Sequence, residues 1–382
     1  MTTHPHTDQL LNSNPFDYSS KNKDLFLQSF KENALHHYKN HEFTQKLWDK
    51  LGFHPDHLQS EKDLETVPGT MVHLYKEHEF YSVPKSEMAL ILTSSGTGGQ
   101  KSQQFLNQES LENVKALALK IHESLGMADS RKYNYLCFTY DPAIANDLGT
   151  AFTDELLTNF TGKNEVYYAI QWNEGIQDFE LNEQGVLETL KRFEASDIPT
   201  RVLGFPALLF EIVEKNNLKI DLGKDSWLQT GGGWKGKAEK EISKQNFRKL
   251  INERLGIPVE NQRDLFGMVE HGIPYVDCKL GNLHIPNLAR VYTRSPRDLS
   301  ILPKGEKGLL HFLCSYNFSY PAPSLLTTDY GRVGICSCGI KGDILILEGR
   351  AGQMFRLPRV MTSHTGARKW KLGTSQFTVM MD

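Results

Sequence analysis

The chain has 382 residues, the length of two to three domains at roughly 150 residues each, and carries 43 basic against 46 acidic residues, a net charge of −3. With 39% hydrophobic and 23% charged residues, disordered, collagen-like and coiled-coil compositions are excluded. The near-neutral balance also excludes a surface built to neutralise a phosphate backbone, so nucleic acid is not an expected partner.

The opening segment, MTTHPHTDQLLNSNPFD, has no basic stretch followed by an apolar one and does not read as a signal peptide. From Asp24 to Leu51, Leu25, Phe26, Phe30, Ala34, Leu35, Tyr38, Leu47, Trp48 and Leu51 recur at helical spacing, with Gly52 placed to terminate the run. Short apolar runs then alternate with amphipathic stretches: MALILT, a helix near 110–125, YNYLCFTY, a helix near 152–160, EVYYAI and a helix near 186–193. TRVLGF, a further helix, WLQT at Trp227 to Thr230 and a helix near 237–255 continue the pattern. Such alternation predicts an α/β fold with a parallel sheet over 1–260. Beyond Asn261 the texture changes to Gly- and Pro-punctuated strands such as GNLHIPNLARVYT and GLLHFL, so a smaller β-rich subdomain is expected over 261–350, followed by a short tail at 351–382. The longest apolar stretches, such as MALIL, fall far below the roughly 18 residues needed to span a bilayer. No membrane anchor is expected, and the cytoplasm is the expected compartment.

The segment Thr93-Ser94-Ser95-Gly96-Thr97-Gly98-Gly99-Gln100-Lys101-Ser102 follows an apolar run and precedes a helix. Glycines let backbone N–H groups approach oxyanions, hydroxyls add donors and a lysine adds a point charge, which together suit a triphosphate. Gln100 stands where a Walker A loop needs glycine, so this is not that motif. A Ser/Gly-rich surface turn is the plain alternative. The remaining motifs decide between the two.

S-S-G-T-G-G-x-K-S resembles the nucleotide loop of the adenylate-forming superfamily, whose members convert a carboxylate and ATP into acyl-AMP and pyrophosphate. Leu228-Gln229-Thr230-Gly231-Gly232-Gly233-Trp234 is similar to the glycine-rich strand end that lines the adenine and acyl pockets there. Asp264-Leu265-Phe266-Gly267-Met268-Val269-Glu270 resembles the aromatic-Gly-x-x-Glu element, which implies Phe266 on the adenine and Glu270 on Mg²⁺. Thr327-Thr328-Asp329-Tyr330-Gly331 resembles the Thr-Gly-Asp element, with Thr328 in the glycine's place, and implies Asp329 on the ribose hydroxyls. Gly349-Arg350 resembles the hinge element whose arginine contacts the nucleotide. The order of these five elements from Ser94 to Arg350 carries the resemblance. It implies ATP and Mg²⁺ as cofactors, Lys101 and Glu270 as catalytic residues, and Ser94, Ser95, Gly96, Thr97, Gly98, Gly99, Gly231, Gly232, Phe266, Asp329 and Arg350 as the nucleotide-binding set.

The whole chain resembles the acyl-protein synthetases of bacterial luminescence, the LuxE type. That resemblance implies an acid–thiol ligase that activates a fatty carboxylic acid and passes it to a protein, with a fatty acid reductase as a partner. Only 32 residues follow Arg350, short of the roughly 100 of the superfamily's mobile C-terminal domain, so that domain is expected to be missing. The LuxE type uses a cysteine near its C-terminus, whereas the last 44 residues here contain none. Transfer of a fatty or aryl acid to coenzyme A or a carrier protein is therefore an alternative, and a non-catalytic subunit of a reductase complex is another.

Five cysteines, an odd number without an export signal, argue for reduced thiols, catalysis or metal rather than a disulfide framework. Cys278, His284 and the pair Cys336 and Cys338 could supply a tetrahedral zinc set, an arrangement similar to that of phenylacetate-CoA ligase-like relatives. Partly buried free thiols are the alternative. Cys137 and Cys314 lie in apolar runs and read as core, with Cys314 the better outside candidate for a nucleophile. His271 follows Glu270 and either binds a phosphate or flanks the site. Phe138, Tyr140, Phe205 and Trp234 stand near strand ends as candidates for the acyl pocket.

Overall fold

The structure is a computed structural model that describes residues 4–94, 102–141, 143–144, 149–234 and 238–350. The amino-terminal third opens with the helices Pro5–Leu11, Ser20–Asn40 and Glu42–Lys50. The apolar spacing from Asp24 to Leu51 belongs to the last two of these, in keeping with the expectation that the chain opens with helices. They break at His41, whose backbone is extended and whose imidazole accepts from the Thr44 amide at 3.4 Å, capping the second helix. Gly52, with φ of +70°, takes the left-handed conformation just past the end, where a side chain would be strained.

The parallel part of the sheet is built from Lys132–Tyr140, Gly162–Asn173, Thr200–Gly204, Trp227–Gly231 and Gln262–Phe266. The helices Gly149–Thr158, Glu183–Glu194, Pro206–Lys215 and Lys244–Leu255 alternate with these strands, and Gln108–Ser124 precedes them. Their starts follow local chemistry: Asn107, Asn182 and Ser243 cap helix amides, and Pro206 occupies the first turn where its missing N–H costs nothing. The last of these helices begins seven residues later than the apolar pattern predicts and ends on Gly256 in the left-handed conformation.

The run Met88–Thr93 was expected to open the parallel sheet and does not. It pairs antiparallel with Gln103–Asn107 in a separate two-stranded sheet. One of its faces remains open, with Ile91 39% exposed, whereas the central parallel strand Thr200–Gly204 is covered on both faces throughout.

From Gln262–Phe266 onward the same large sheet turns antiparallel. Tyr275–Asp277, Leu283–His284, Asp343–Arg350, Ser324–Ile335, Gly308–Cys314 and Ala289–Arg294 follow in spatial order. The expected change from parallel to antiparallel texture near residue 261 is therefore a change of pairing within one sheet. One buried cluster, including Val202, Leu228, Phe247 and Ile251, fills the face under the helices Pro206–Lys215 and Lys244–Leu255. Another, including Tyr133, Tyr135, Cys137 and Leu203, fills the opposite face.

Candidate active site and thiol cluster

Ser94 and Ser102 bracket the glycine-rich loop. The Ser94 amide donates to the Ser102 carbonyl at 2.9 Å, and the Ser102 amide donates to Ser94 Oγ at 3.0 Å. The residues between them, including Ser95, Gly96, Thr97, Gly98, Gly99 and Lys101, lie outside the described residues. Both ends of the loop emerge from the paired strands Met88–Thr93 and Gln103–Asn107, so its base is set by a β-ladder and by this reciprocal bond.

Ser102 is fully buried, and its hydroxyl donates to Glu270 Oε1 across 168 residues of sequence. Glu270 is itself 7% exposed. An acid buried to this extent is expected to hold hydrogen bonds or a cation. The next residue, His271, is buried, and burial pushes its imidazole down to about 3, so it is neutral at physiological pH. Its Nε2 lies 2.7 Å from the Tyr275 hydroxyl, which fixes the ring against the sheet.

Gly231 pairs with Leu265 at the ends of two adjacent parallel strands. The carboxyl ends of Trp227–Gly231 and Gln262–Phe266 therefore open on the same edge, where open α/β sheets hold ligands. Gly232 and Gly233 have φ of +75° and +64°, and a Cβ on Gly232 would stand 2.8 Å from the Phe205 ring. Phe266, on the neighbouring strand end, meets Tyr275 at 6.0 Å and Phe312 at 6.3 Å.

A cavity of about 160 Å³ lies beside these strand ends, lined in part by Leu228, Thr230, Gly233, Trp234, Asp264 and Asp277. Asp277 is fully buried and ion-pairs with Lys244 at 2.6 Å, while Lys244 also reaches Asp264 at 3.6 Å. Burial pushes the Asp264 carboxyl up to about 6, with Lys244 opposing the shift and Asp277 adding to it. Neither carboxylate was predicted from the sequence. Asp264 was legible only as the start of the Phe266 motif, and nothing local marks Asp277.

Asp329 and Arg350 are cross-strand partners in the hairpin formed by Ser324–Ile335 and Asp343–Arg350. The Asp329 amide donates to Thr327 Oγ1 at 3.2 Å. This hairpin borders Gly308–Cys314, whose Phe312 touches Phe266. The sheet thus links the two segments, 59 and more residues apart, that the sequence assigned to one site.

At the other end of the same hairpin, Cys336 and Cys338 meet Cys278 and His284. Their ligand atoms all lie within 4.8 Å of one another. Cys278 Sγ is 3.8 Å from Cys336 Sγ, and Cys338 Sγ is 3.2 Å from His284 Nε2. Bonds of about 2.3 Å from a tetrahedral zinc to sulfur place two sulfurs about 3.8 Å apart, so the donor set fits that ion in chemistry and spacing. Burial pushes the Cys278 thiol up, but bonds with His284, the backbone at Asn282 and Leu280, and Cys338 outweigh it and hold the thiol below its usual range.

Cys314 is fully enclosed, and burial pushes its thiol up to about 12. That protonation state does not suit a nucleophile. Cys137 is likewise buried. Among the acyl-pocket candidates, Phe138 is core, Phe205 faces the Gly232 backbone, and Trp234 packs on Phe210 and Phe247. Tyr140 joins Phe179 edge-on at 5.0 Å at the outer edge of the sheet.

The model of the acyl-protein synthetase family, LuxE, matches residues 2–355. The chain belongs to that family. It is an ATP-dependent acid–thiol ligase that activates a carboxylic acid as acyl-AMP and transfers the acyl group to a thiol. It is 22% identical over 308 residues to the long-chain-fatty-acid–luciferin-component ligase of Aliivibrio fischeri, covering 80% of this chain and 76% of that protein. The protein of the same name from Vibrio harveyi is 22% identical over 315 residues, covering 81% and 80%. Among solved structures, an open conformation of 2-hydroxyisobutyryl-CoA ligase in complex with 2-HIB-AMP and CoA superposes with a TM-score of 0.67 at 16% identity, over 87% of this chain and 75% of that one. The likeness shows the adenylate-forming fold. Among the described residues, no helix of this acyl-protein synthetase is long and apolar enough to cross a membrane.

Proposed function

We propose that this acyl-protein synthetase activates a long-chain fatty acid with Mg·ATP and hands the acyl group to a thiol on a partner protein. The observation that carries the reading is the convergence of the loop base, through Ser102, on Glu270. The backbone of 94–99 and Lys101 hold the phosphates, Glu270 holds Mg²⁺, and Gly231, Gly232 and Phe266 enclose the adenine. Asp329 accepts from the ribose hydroxyls, and Arg350, its cross-strand partner, contacts the nucleotide. The carboxylate oxygen of the acid bonds to the α-phosphorus as pyrophosphate leaves with its electron pair. Then the acceptor thiol loses its proton to solvent as its sulfur bonds to the acyl carbon, and AMP leaves with the bridging oxygen and its electron pair. Lys101, and a Mg²⁺ ion that Glu270 would hold, would neutralise charge in the first step, and the nucleotide contacts would fix its geometry.

Neither Cys137 nor Cys314 is accessible, which favours a thiol supplied from outside the chain: a protein such as a fatty acid reductase, a carrier, or coenzyme A. Cys278, His284, Cys336 and Cys338 hold a structural zinc, closed to substrate because all four positions are protein ligands. Reduced thiols of this kind suit the cytoplasm.

The test is pyrophosphate release across acids from acetate to palmitate and benzoate, with and without CoA. Release with long-chain acids and no thioester in CoA supports the proposal. No release with any acid overturns it, and CoA thioester as the main product replaces the protein acceptor by CoA. Metal analysis after purification without chelators tests the zinc, and a content near zero rejects it.

A further inference from the structure

We infer that Ser102 is a positioning residue: its hydroxyl holds one carboxylate oxygen of Glu270 at the base of the phosphate loop, so that the other oxygen is presented to the metal. The inference rests on the role proposed for Glu270. Three separate constraints meet at Ser102. Its amide and carbonyl both bond to Ser94, closing the loop. Its neighbour Gln103 pairs with Thr93 in the ladder. Its side chain, wholly enclosed, ends on Glu270.

A carboxylate on a short loop has free χ rotations and pays entropy to settle on a metal. A buried hydroxyl fixed through its own backbone removes that freedom before the metal arrives. The same bond ties the described base of the loop, Ser94 and Ser102, to the carboxylate. Tyr75 and Tyr320, both buried, lie near enough to Glu270 to feel its charge. Among the described residues, the loop meets the acid through Ser102. A serine after the loop lysine is also where a Walker A loop places a hydroxyl on Mg²⁺. Here that hydroxyl is directed at the acid instead.

The experiment is calorimetric binding of ATP with excess Mg²⁺ and with EDTA, for wild type, Ser102→Ala, Ser102→Thr, Glu270→Gln and the Ser102→Ala/Glu270→Gln pair. A charge-assisted hydrogen bond of about 1.5 kcal/mol corresponds to about tenfold. Ser102→Ala is expected to weaken Mg·ATP about tenfold while leaving metal-free ATP unchanged, and Ser102→Thr to recover within about twofold. In the double variant the serine change is expected to add nothing to Glu270→Gln, because Ser102 acts only through that acid. Additive losses, or equal losses with and without Mg²⁺, overturn the inference. If Glu270→Gln itself leaves the Mg²⁺ dependence intact, the role proposed for Glu270 fails. If only Ser102→Ala leaves it intact, that role stands and the inference fails. Should Ser102→Ala not fold, Ser102→Cys preserves the volume with a weak donor and is expected to show the same selective loss.

Discussion

Glu270 and Cys278 lie eight residues apart, on either side of the strand Tyr275–Asp277, yet their surroundings are opposite in kind. Glu270 meets a single described hydroxyl from the phosphate loop. Cys278 belongs to a four-member set whose donor atoms are within 4.8 Å of one another. In the roles proposed above, the first arrangement would keep a hard oxygen ligand available for a metal that arrives with substrate. The second would saturate a metal with protein ligands and leave no position for chemistry. Ligand type and completeness thus distinguish the two ends of this region, which flank one strand.

Glu270→Gln breaks the contrast most severely. It is expected to lower the rate of pyrophosphate release by about 10²-fold or more with the fold intact by circular dichroism, and a loss under tenfold contradicts a role at the metal. Cys336→Ser attacks the other end. Here the expected result is loss of zinc and about 3 kcal/mol of stability in urea, while ATP affinity stays within about a factor of two. Retained stability without metal contradicts the staple.

The cavity beside the strand ends at Gly231 and Leu265 tests how charge is managed between the two ends. Asp264 titrates near 6 in the folded chain against about 3.9 unfolded. Between those values the folded chain binds the extra proton, so this group's contribution to stability falls as pH rises through the window and its cost is fully present above it. Lys244→Met removes the cation shared by both carboxylates and is expected to cost about 2 kcal/mol at pH 8. The cost shrinks toward pH 4, as Asp264 takes up its proton. An equal cost at both pH values, by urea unfolding, would falsify the charge account. The smallest effect is expected from Cys314→Ala, which keeps acyl transfer within about twofold, because a thiol pushed up to about 12 in a closed core takes no part. A large loss of transfer with unchanged pyrophosphate release would return Cys314 to the reaction.

The elements that sequence reading located are those whose signal is local. Thr200–Gly204 and Trp227–Gly231 are continuous apolar runs between helices capped by recognisable residues, and they became neighbouring parallel strands. The Cys-x-Cys pair with Cys278 and His284 was legible as chemistry because few residue types bind zinc, and the four converge. Met88–Thr93 was misplaced because a short apolar run has no mark of which sheet it joins. The helical spacing across His41 hid a break, since an extended residue that caps the next helix leaves the apolar period almost undisturbed.

By itself, then, the sequence determined the family, the alternation of strands and helices, and the order of the motifs on which the nucleotide site is proposed. The motifs depend on glycines, hydroxyls and acids within a few residues of one another. Only the tertiary structure decided that Ser102 faces Glu270, that Lys244 bridges Asp264 and Asp277, and that Cys314 is sealed. Each of these is a contact between distant segments whose energy comes from burial and pairing. Neither burial nor pairing exists until strands far apart in the chain are laid side by side.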